Sequence, residues 1–435
     1  MAALQIKRKS SPTSATATRD RKAVGEYIQG KFVAARRIMQ EGMIQRDDEI
    51  DLVLVAIICG EHPLLVGPPG TGKSFLLDTL LRLFPGCTKF SYLIQKFSTP
   101  EEIFGPFDVA AMKASRYVRV TRGKLPEANF AMLDELFKGS PAILNTTLRV
   151  LNERNIEDGD GGFRTCPLVS CFAGSNEWPD LGELGALFDR FLLRKKVRKV
   201  QGQADRQRLR RLPRGFQIFF GAITGALYVR REKEAMEAEA ERESTKVGLK
   251  IEAAGVADCT MNLEELARAQ EDAMALPVSD AAWEALDRIV DVELPKEGID
   301  VGDRRMRKSM DVARAYAYLL GADEVLPEHL EILAHVLWED PAEQPEKAAA
   351  AVARVANPVA VEITAQINAA HEVMGKTDMK DSRQATRANE VMHQIIERLE
   401  VLKVCDRRDR AIKYVRDRMH DLHLASYPEA RKAGK

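Results

Sequence analysis

The stretch His62-Pro63-Leu64-Leu65-Val66-Gly67-Pro68-Pro69-Gly70-Thr71-Gly72-Lys73-Ser74 joins a short apolar strand to a glycine-rich turn, and a leucine-bearing helix follows. Its last eight residues satisfy the pattern G-x-x-x-x-G-K-[ST]. In such a turn, backbone N–H groups and the helix N-terminus face phosphate oxygens, while the lysine reaches the β- and γ-phosphates and the hydroxyl binds Mg²⁺. Because the strand and helix lie on the correct sides, the sequence predicts an ATP-binding loop rather than an ordinary glycine turn. The predicted ATP-binding residues are Gly67, Pro68, Pro69, Gly70, Thr71, Gly72, Lys73 and Ser74.

A second apolar strand, Phe130 to Leu133, ends in the acidic pair Asp134-Glu135. The pair follows the loop by about 60 residues, which is where an α/β ATPase places the other half of its site. We predict that Asp134 shares a Mg²⁺ site with Ser74, and that Glu135 polarises the attacking water as a general base. The alternative is a buried strand whose end carries two solvated acids.

Two further polar residues follow predicted elements of the same sheet. The strand Leu168 to Ala173 leads into Asn176, which the parallel register would place beside Asp134, where its amide could orient the attacking water. A simple turn asparagine is the alternative. Arg190 lies between a short helix and the next strand, and either forms a surface ion pair or projects toward a neighbouring subunit's nucleotide. The spacing alone leaves both possibilities open.

The composition excludes several other classes of protein. The 65 basic and 65 acidic residues give a formal net charge of zero, which argues against a surface devoted to nucleic acid. No apolar run reaches the roughly 18 residues of a membrane-spanning helix, so no membrane insertion is predicted. The cysteines are scattered without a C-x₂-C pair, which favours free thiols in a reducing, cytoplasmic compartment. They are Cys59, Cys87, Cys166, Cys171, Cys259 and Cys405.

The hydrophobic pattern changes along the chain from alternating strands and helices to helices alone. We predict an α/β domain with a parallel sheet between helices, followed by two helical regions in which Trp283, Leu286 and Ile289 belong to the core. A short helix is expected from the capping box at Thr99-Pro100-Glu101-Glu102, and a small hairpin near Tyr117 to Val120. The predicted boundaries are 1–22 for a disordered basic arm, 23–200 for the α/β domain, 201–342 for a helical lid with a charged insertion at 230–250, and 343–435 for a helical hairpin or bundle.

Several segments beyond the loop carry a family resemblance. Phe97 to Pro106 is similar to an insert in helix 2, Gly123 to Ala128 continues it, and the Leu133-Asp134-Glu135 and Ala173-Gly174-Ser175-Asn176-Glu177 strings are similar as well. On these residues the chain resembles the AAA+ ATPases of the MoxR family, most closely the RavA-type members. The resemblance covers roughly Gly25 to Pro341.

The resemblance implies a ring, usually a hexamer, that hydrolyses ATP with Mg²⁺ at its subunit interfaces. It assigns Asn176 to the sensor 1 position, Arg190 to the arginine finger given to the neighbour's ATP, and Arg305 to sensor 2 in the lid, with Arg304 as the one-residue alternative. Family members act as chaperone-like remodellers of protein complexes, often with a partner that bears a von Willebrand factor A (VWA) domain.

The chain departs from the RavA type in two places. The charged segment Arg230 to Lys246 resembles an insertion in the lid, and a helical tail replaces the β-rich discontinuous domain after Pro341. The leading hypothesis is therefore a MoxR-type remodeller, and the sequence does not identify its partner protein. The alternatives are a nucleic-acid motor of the helix-2-insert class and a nucleotide-gated assembly scaffold.

Overall fold

The structure is a computed structural model that describes residues 14–157, 162–200, 206, 209, 259–377, 381–402, 408, 411–416, 418–419 and 422. The predicted charged insertion at 230–250 lies outside the described residues. Within them, no single helix is both long enough and apolar enough to cross a membrane, and one bent pair of helices meets that composition only when the two are taken together.

A five-stranded parallel sheet forms the centre of the first domain. Its strands are β1 (Pro63–Val66), β2 (Lys89–Leu93), β3 (Phe130–Asp134), β6 (Ser170–Ser175) and β7 (Leu193–Lys196), in the order β2-β3-β6-β1-β7. Val66 lies opposite Ser175, and Leu133 lies opposite Ala173. The carboxyl ends of β1, β3 and β6 therefore meet at one edge, which confirms the predicted α/β fold.

In the part of the chain that the structure describes, seven helices accompany this sheet. They are α1 (Ser14–Gly42), α2 (Asp47–Ile58), α3 (Lys73–Leu81), α4 (Pro100–Phe104), α5 (Val109–Lys113), α6 (Pro141–Glu153) and α7 (Leu181–Arg190). Short 3-10 helices span Leu125–Glu127 and Leu136–Lys138. Helix α2 is buried from Glu49 to Ile58, as its apolar sequence predicts. Helix α1 begins at Ser14, so part of the range predicted as a disordered arm is helical.

The segment between β2 and β3 contains the predicted capping box. Thr99 N donates to Glu102 Oε2 at 2.8 Å, and α4 begins with Pro100. In place of the predicted hairpin near Tyr117, a single antiparallel bridge joins Phe107 to Arg119. The turn at Gly105 has a φ of 97°, and a Cβ there would lie 2.0 Å from Val120 O. The insert is therefore closed by a backbone contact that only glycine allows.

A two-stranded antiparallel hairpin follows α6, and the sequence analysis did not predict its strands. Its strands are β4 (Asn155–Glu157) and β5 (Phe163–Thr165). Each strand has three residues, too short to show an alternating pattern. The Arg149 guanidinium of α6 stacks over the Phe163 ring at 4.7 Å, which fastens the hairpin to the domain.

The second domain is helical, as predicted. Its elements are α8 (Leu263–Met274), α9 (Asp280–Arg288), a π-helical segment (Ile289–Glu293), α10 (Leu294–Lys296), α11 (Asp303–Leu319), a 3-10 helix (Pro327–His335) and α12 (Gln344–Ala356). Leu286 and Ile289 are buried, but the predicted core residue Trp283 is 44 % exposed. Helix α12 was placed after the lid by sequence, yet its residues Ala348 and Val352 are buried in the lid's core.

One hydrophobic core continues from the sheet domain into the lid. Helix α11 packs on α2, and α1 contacts both. Arg36 of α1 pairs with the buried Asp51 of α2 at 2.6 Å, while Lys31 pairs with Glu265 of α8 at 2.7 Å. Helix α1 therefore fixes the lid to the sheet domain.

The last helices form a smaller core of their own. Helices α13 (Pro358–Lys376) and α14 (Ser382–Val401) pack together, and residues such as Ile363, Met392 and Leu399 are buried between them. Ile412, Val415 and Leu422 complete this core. The C-terminal region is thus helical, as predicted.

Candidate nucleotide-binding site

The loop between β1 and α3 depends on its glycines for two separate reasons. Gly70 and Gly72 have φ values of 76° and 85°, and nothing lies within 4 Å of where their Cβ atoms would be. They allow a left-handed backbone that leaves the N–H groups of the loop open to an anion. Gly67 instead allows contact with β7, because a Cβ there would lie 2.3 Å from Val197 O. The loop is held against the sheet on one side and open on the other.

Lys73 lies at the centre of this loop. Its side chain is buried, and its ammonium donates to Gly67 O and lies 3.4 Å from Pro68 O and 3.3 Å from Asn176 Oδ1. Burial lowers the pKa of Lys73, while the nearby carboxylates of Asp134 and Glu135 oppose that shift. The cation is therefore held among neutral oxygens, from which it can turn to a phosphate.

Ser74 and Asp134 lie together, as the predicted Mg²⁺ site requires. Ser74 Oγ donates to Asp134 Oδ2 at 3.3 Å. The neighbouring strand leaves room for this carboxylate, because a Cβ at Gly174 would lie 2.5 Å from Asp134 Oδ1. A hydroxyl and a carboxylate suit Mg²⁺, which takes few protein ligands and shares the phosphate oxygens. The residues present therefore fit the ion that the family implies.

Glu135 and Asn176 face each other at the same edge of the sheet. Asn176 Nδ2 donates to Glu135 Oε1, and Lys138 pairs with Glu135 Oε2 at 3.3 Å. Glu135 has a φ of 53° and a ψ of 40°, a left-handed conformation that is unusual for glutamate. Such strain is typical of residues whose direction matters for function. The structure thus brings together five predicted site residues: Lys73, Ser74, Asp134, Glu135 and Asn176.

A cavity of about 690 Å³ adjoins the loop between the start of α2, the end of β7 and the lid. Arg46 lines it and donates from Nη2 to Thr71 O at 3.0 Å and to Arg198 O at 2.9 Å. The cavity is also lined by Trp178, Lys195 and His335. Burial, and to a smaller degree the Lys195 ammonium, lowers the pKa of His335. Arg46 therefore connects this cavity with the loop, although none of the residues that line the cavity belongs to Gly67–Ser74.

Arg190 and the two lid arginines lie elsewhere, around Asp189 at the end of α7. Arg305 Nη2 donates to Asp189 Oδ1 at 2.8 Å, Arg304 Nη1 lies 3.5 Å from Asp189 Oδ2, and Arg190 Nη1 lies 3.9 Å from that oxygen. Arg305 is 1 % exposed and also donates to Val336 O at 3.1 Å. The resemblance assigns Arg305 to sensor 2, but its side chain pairs here with Asp189 and the Val336 carbonyl.

The position of Arg190 in the sheet separates it from its own loop. It precedes β7, which pairs in parallel with β1 so that Leu193 lies opposite Pro63. Arg190 is therefore near the amino ends of the strands, whereas Gly67–Ser74 follows their carboxyl ends. The strand register therefore places Arg190 and its own phosphate loop at opposite ends of the sheet.

His62 supports the loop from the start of β1. Its Nδ1 accepts a hydrogen bond from Cys171 N at 3.0 Å, and the ring is buried. Burial, and to a smaller degree the Arg154 guanidinium, holds the pKa of His62 well below its usual range. The folded protein therefore contains the neutral imidazole.

This burial predicts a loss of stability in acid. In the unfolded chain His62 gains a proton below about pH 6.5, whereas the folded chain cannot accept it, so stability is full above that pH and falls below it. Between pH 6 and 5, the free energy of unfolding of the wild type should therefore fall as the pH falls. We expect His62→Gln to reduce this pH dependence by about 1.4 kcal/mol per pH unit, measured by urea unfolding. His393→Gln, on an exposed face of α14, is the control. Equal slopes for wild type and His62→Gln would contradict the prediction.

Comparison with known proteins gives the family. A model described as the MoxR domain in the MoxR-vWA-beta-propeller ternary systems matches residues 31–216, and an AAA lid domain model matches residues 284–349. Two uncharacterised proteins of Methanocaldococcus jannaschii are 30 % and 31 % identical over 309 and 314 residues, each across 71 % of its own length. The chain is a MoxR-type AAA+ ATPase. Matches to the relatives cover 71 % and 72 % of this chain.

This MoxR-type chain is also similar to a viral protein and to a solved structure. The structural protein ORF618 of Acidianus two-tailed virus is 30 % identical over 180 residues, which is 39 % of this chain and 29 % of that protein. The crystal structure of a Cytophaga hutchinsonii protein described as a "putative ATPase" has a TM-score of 0.54 at 15 % identity, and the match covers 78 % of this chain and 98 % of that one. At this identity it supports the fold alone. The RavA-type subgroup stays a prediction.

The MoxR-type site includes three residues that the sequence analysis did not single out. Arg46 precedes α2 and holds the loop through Thr71 O, His62 supports β1, and Asp189 binds the lid arginines. Asp189 stands directly before the predicted finger, and that adjacency was the available signal. Arg46 had no comparable signal because its contacts are formed by the fold.

Proposed function

We propose that this MoxR-type protein hydrolyses ATP, with Mg²⁺, at the interfaces of a ring of identical subunits. The observation that carries the proposal is the convergence of Lys73, Ser74, Asp134, Glu135 and Asn176 at one sheet edge. Phosphoryl transfer needs positioning and charge stabilisation more than covalent chemistry, and these side chains provide both.

Each residue has a distinct part in the proposed reaction. Lys73 and the N–H groups of the loop bind and orient the phosphates, and Ser74 and Asp134 hold Mg²⁺. The ion neutralises charge that develops on the phosphate oxygens. Glu135 accepts the proton of the attacking water, and the amide of Asn176 keeps that carboxylate and the water in line.

The position of Arg190 is the reason for proposing a ring. It lies at the opposite sheet edge from its own loop, so its guanidinium would stabilise the transferring phosphate of an adjacent subunit. A hexamer is the ring we expect from the family resemblance. An arginine supplied in trans makes hydrolysis depend on assembly.

We further propose that the ring uses ATP for chaperone-like remodelling or maturation of protein complexes, with a VWA-domain partner. The support is the description of the matching model, which names MoxR-vWA-beta-propeller ternary systems.

The test of ATP hydrolysis is its dependence on protein concentration and on Lys73. We expect activity per subunit to rise as rings form, and Lys73→Ala to weaken ATP binding about ten- to hundred-fold, since a hydrogen bond to a charged group contributes roughly 1.5–3 kcal/mol. Fluorescent-nucleotide titration and phosphate release measure the two effects. Lys376→Ala, on the C-terminal helices, is the matched control. Activity that is constant from monomer to assembly would overturn the ring mechanism.

A further inference from the structure

Asp189 is the point at which the lid meets the end of α7. Its carboxylate accepts from Arg305 of the lid at 2.8 Å, and Arg304 and Arg190 lie 3.5 and 3.9 Å from its second oxygen. Both lid arginines belong to the first turn of α11. The Asp189 carboxylate therefore connects the start of a lid helix with the chain directly before Arg190, the proposed finger.

The charges around Asp189 are unbalanced. Arg194 faces the same cluster, in which the acidic residues are Asp189 and Glu339. Four guanidinium groups share this region, and they belong to Arg190, Arg194, Arg304 and Arg305. Arg305 is almost fully buried, and an unpaired buried charge is strongly destabilising. Its bond to Asp189 is therefore one that the lid cannot easily release.

A second contact joins the same two parts of the molecule. Arg194 of β7 stacks over the Phe188 ring of α7 at 4.2 Å and over the Trp338 ring of the lid at 4.4 Å, and it donates to Trp338 O. The Phe188 and Trp338 rings lie 6.2 Å apart. The lid thus contacts the last turn of α7 through both an ion pair and an aromatic stack.

We propose that Asp189 is a positioning residue that transmits the orientation of the lid to Arg190, and so sets how well the finger serves the neighbouring subunit. The inference rests on the proposed role of Arg190 in trans. The contacts of Asp189 are with arginine side chains, so it acts through the adjacent Arg190, because a shift at the start of α11 displaces its carboxylate and the peptide that follows. A purely structural ion pair would stabilise the fold of its own subunit without affecting a neighbour's catalysis.

Mixed rings separate these two roles. A Glu135→Gln subunit keeps its finger but lacks the general base, whereas an Arg190→Ala subunit keeps its base but lacks the finger. Their mixture regains ATPase activity if Arg190 acts in trans. Asp189→Asn is then placed on one component or the other, with equal ring assembly checked by light scattering.

The expected result depends on which component carries the change. On the Glu135→Gln component, Asp189→Asn should lower the recovered kcat about ten-fold with KM for ATP within about two-fold, because a small misplacement of a catalytic group costs up to about a hundred-fold. On the Arg190→Ala component it should leave the recovered kcat within about two-fold. Asp189→Glu on the first component should restore part of the loss.

A second variant guards against misfolding. Arg304→Gln removes the weaker lid contact of a side chain that is 33 % exposed, and on the Glu135→Gln component, whose own site is inactive, it should lower the recovered kcat. Asp311→Asn on the outer part of α11 should leave the recovered kcat unchanged on that component. An equal loss from both placements of Asp189→Asn, or a loss that follows its melting temperature, would overturn the inference. If mixed rings of Glu135→Gln and Arg190→Ala subunits regain no activity, Arg190 does not act in trans. That outcome refutes the proposed finger and is distinguishable from a failure of the inference about Asp189.

Discussion

Arg190→Ala is expected to lower the kcat of ATP hydrolysis about a thousand-fold, while ATP binding changes little, because an arginine finger contributes roughly 10³–10⁵ to phosphoryl transfer. The side chain is at the opposite sheet edge from its own loop, so its removal leaves Lys73 and the Mg²⁺ ligands intact. Single-turnover hydrolysis in assembled rings measures the chemical step directly.

Arg416→Ala is the matched control for this prediction. Arg416 pairs at 2.8 Å with Glu400 on the C-terminal helices and is 62 % exposed, so its loss removes the same charge far from the α7 cluster. A kcat for Arg190→Ala close to that of Arg416→Ala would show that Arg190 is the surface ion-pair residue that the sequence alone also allowed.

Glu135→Gln is expected to lower hydrolysis about 10²- to 10⁴-fold and to retain ATP, since the change removes a general base but keeps a side chain of the same shape. The amide can still face Asn176, and the ammonium of Lys73 is not altered. The kcat and the dissociation constant of ATP, measured on the same preparation, separate the two effects. Glu153→Gln at the end of α6 controls for loss of an exposed charge.

The same variant tests the proposed use of ATP. A ring that holds ATP without hydrolysing it should retain its client and its VWA-domain partner during affinity capture. The double variant Glu135→Gln/Lys73→Ala, with weakened ATP binding, gives the background. Recovery of nucleic acid alone would favour the motor hypothesis, and cellular function preserved in Glu135→Gln would favour the assembly scaffold.

The catalytic edge could be predicted because it follows from strand direction. Asp134 and Asn176 come directly after apolar runs, and parallel strands bring such residues to one edge whatever their distance in sequence. The capping box at Thr99 was similarly local, since Thr99 N and Glu102 Oε2 lie within one turn. Patterns that depend on one element and its direction therefore translated well into structure.

The lid contacts could not be predicted in this way. The partner of Arg305 depends on how α11 packs on α2 and on the end of α7, and neither packing has a signal in sequence spacing. Trp283 followed the apolar face of α9 in sequence but is 44 % exposed, so its position on the helix was not enough to place it in the core. Helix α12 was placed outside the lid by sequence, yet its small alanine side chains permit close packing in the lid's core.

Strand β7 has a consequence for communication between subunits of the proposed ring. Arg190 stands just before its first residue, and Val197, just after its last, presents the carbonyl that lies against Gly67. Phe191 and Leu192, the only residues between Arg190 and the strand, are buried, so no slack loop separates the two ends. At about 3.3 Å per residue the connection is short and stiff. In the proposed ring, this short backbone segment would connect Arg190, the finger for the neighbouring subunit, directly with the loop that binds the subunit's own nucleotide.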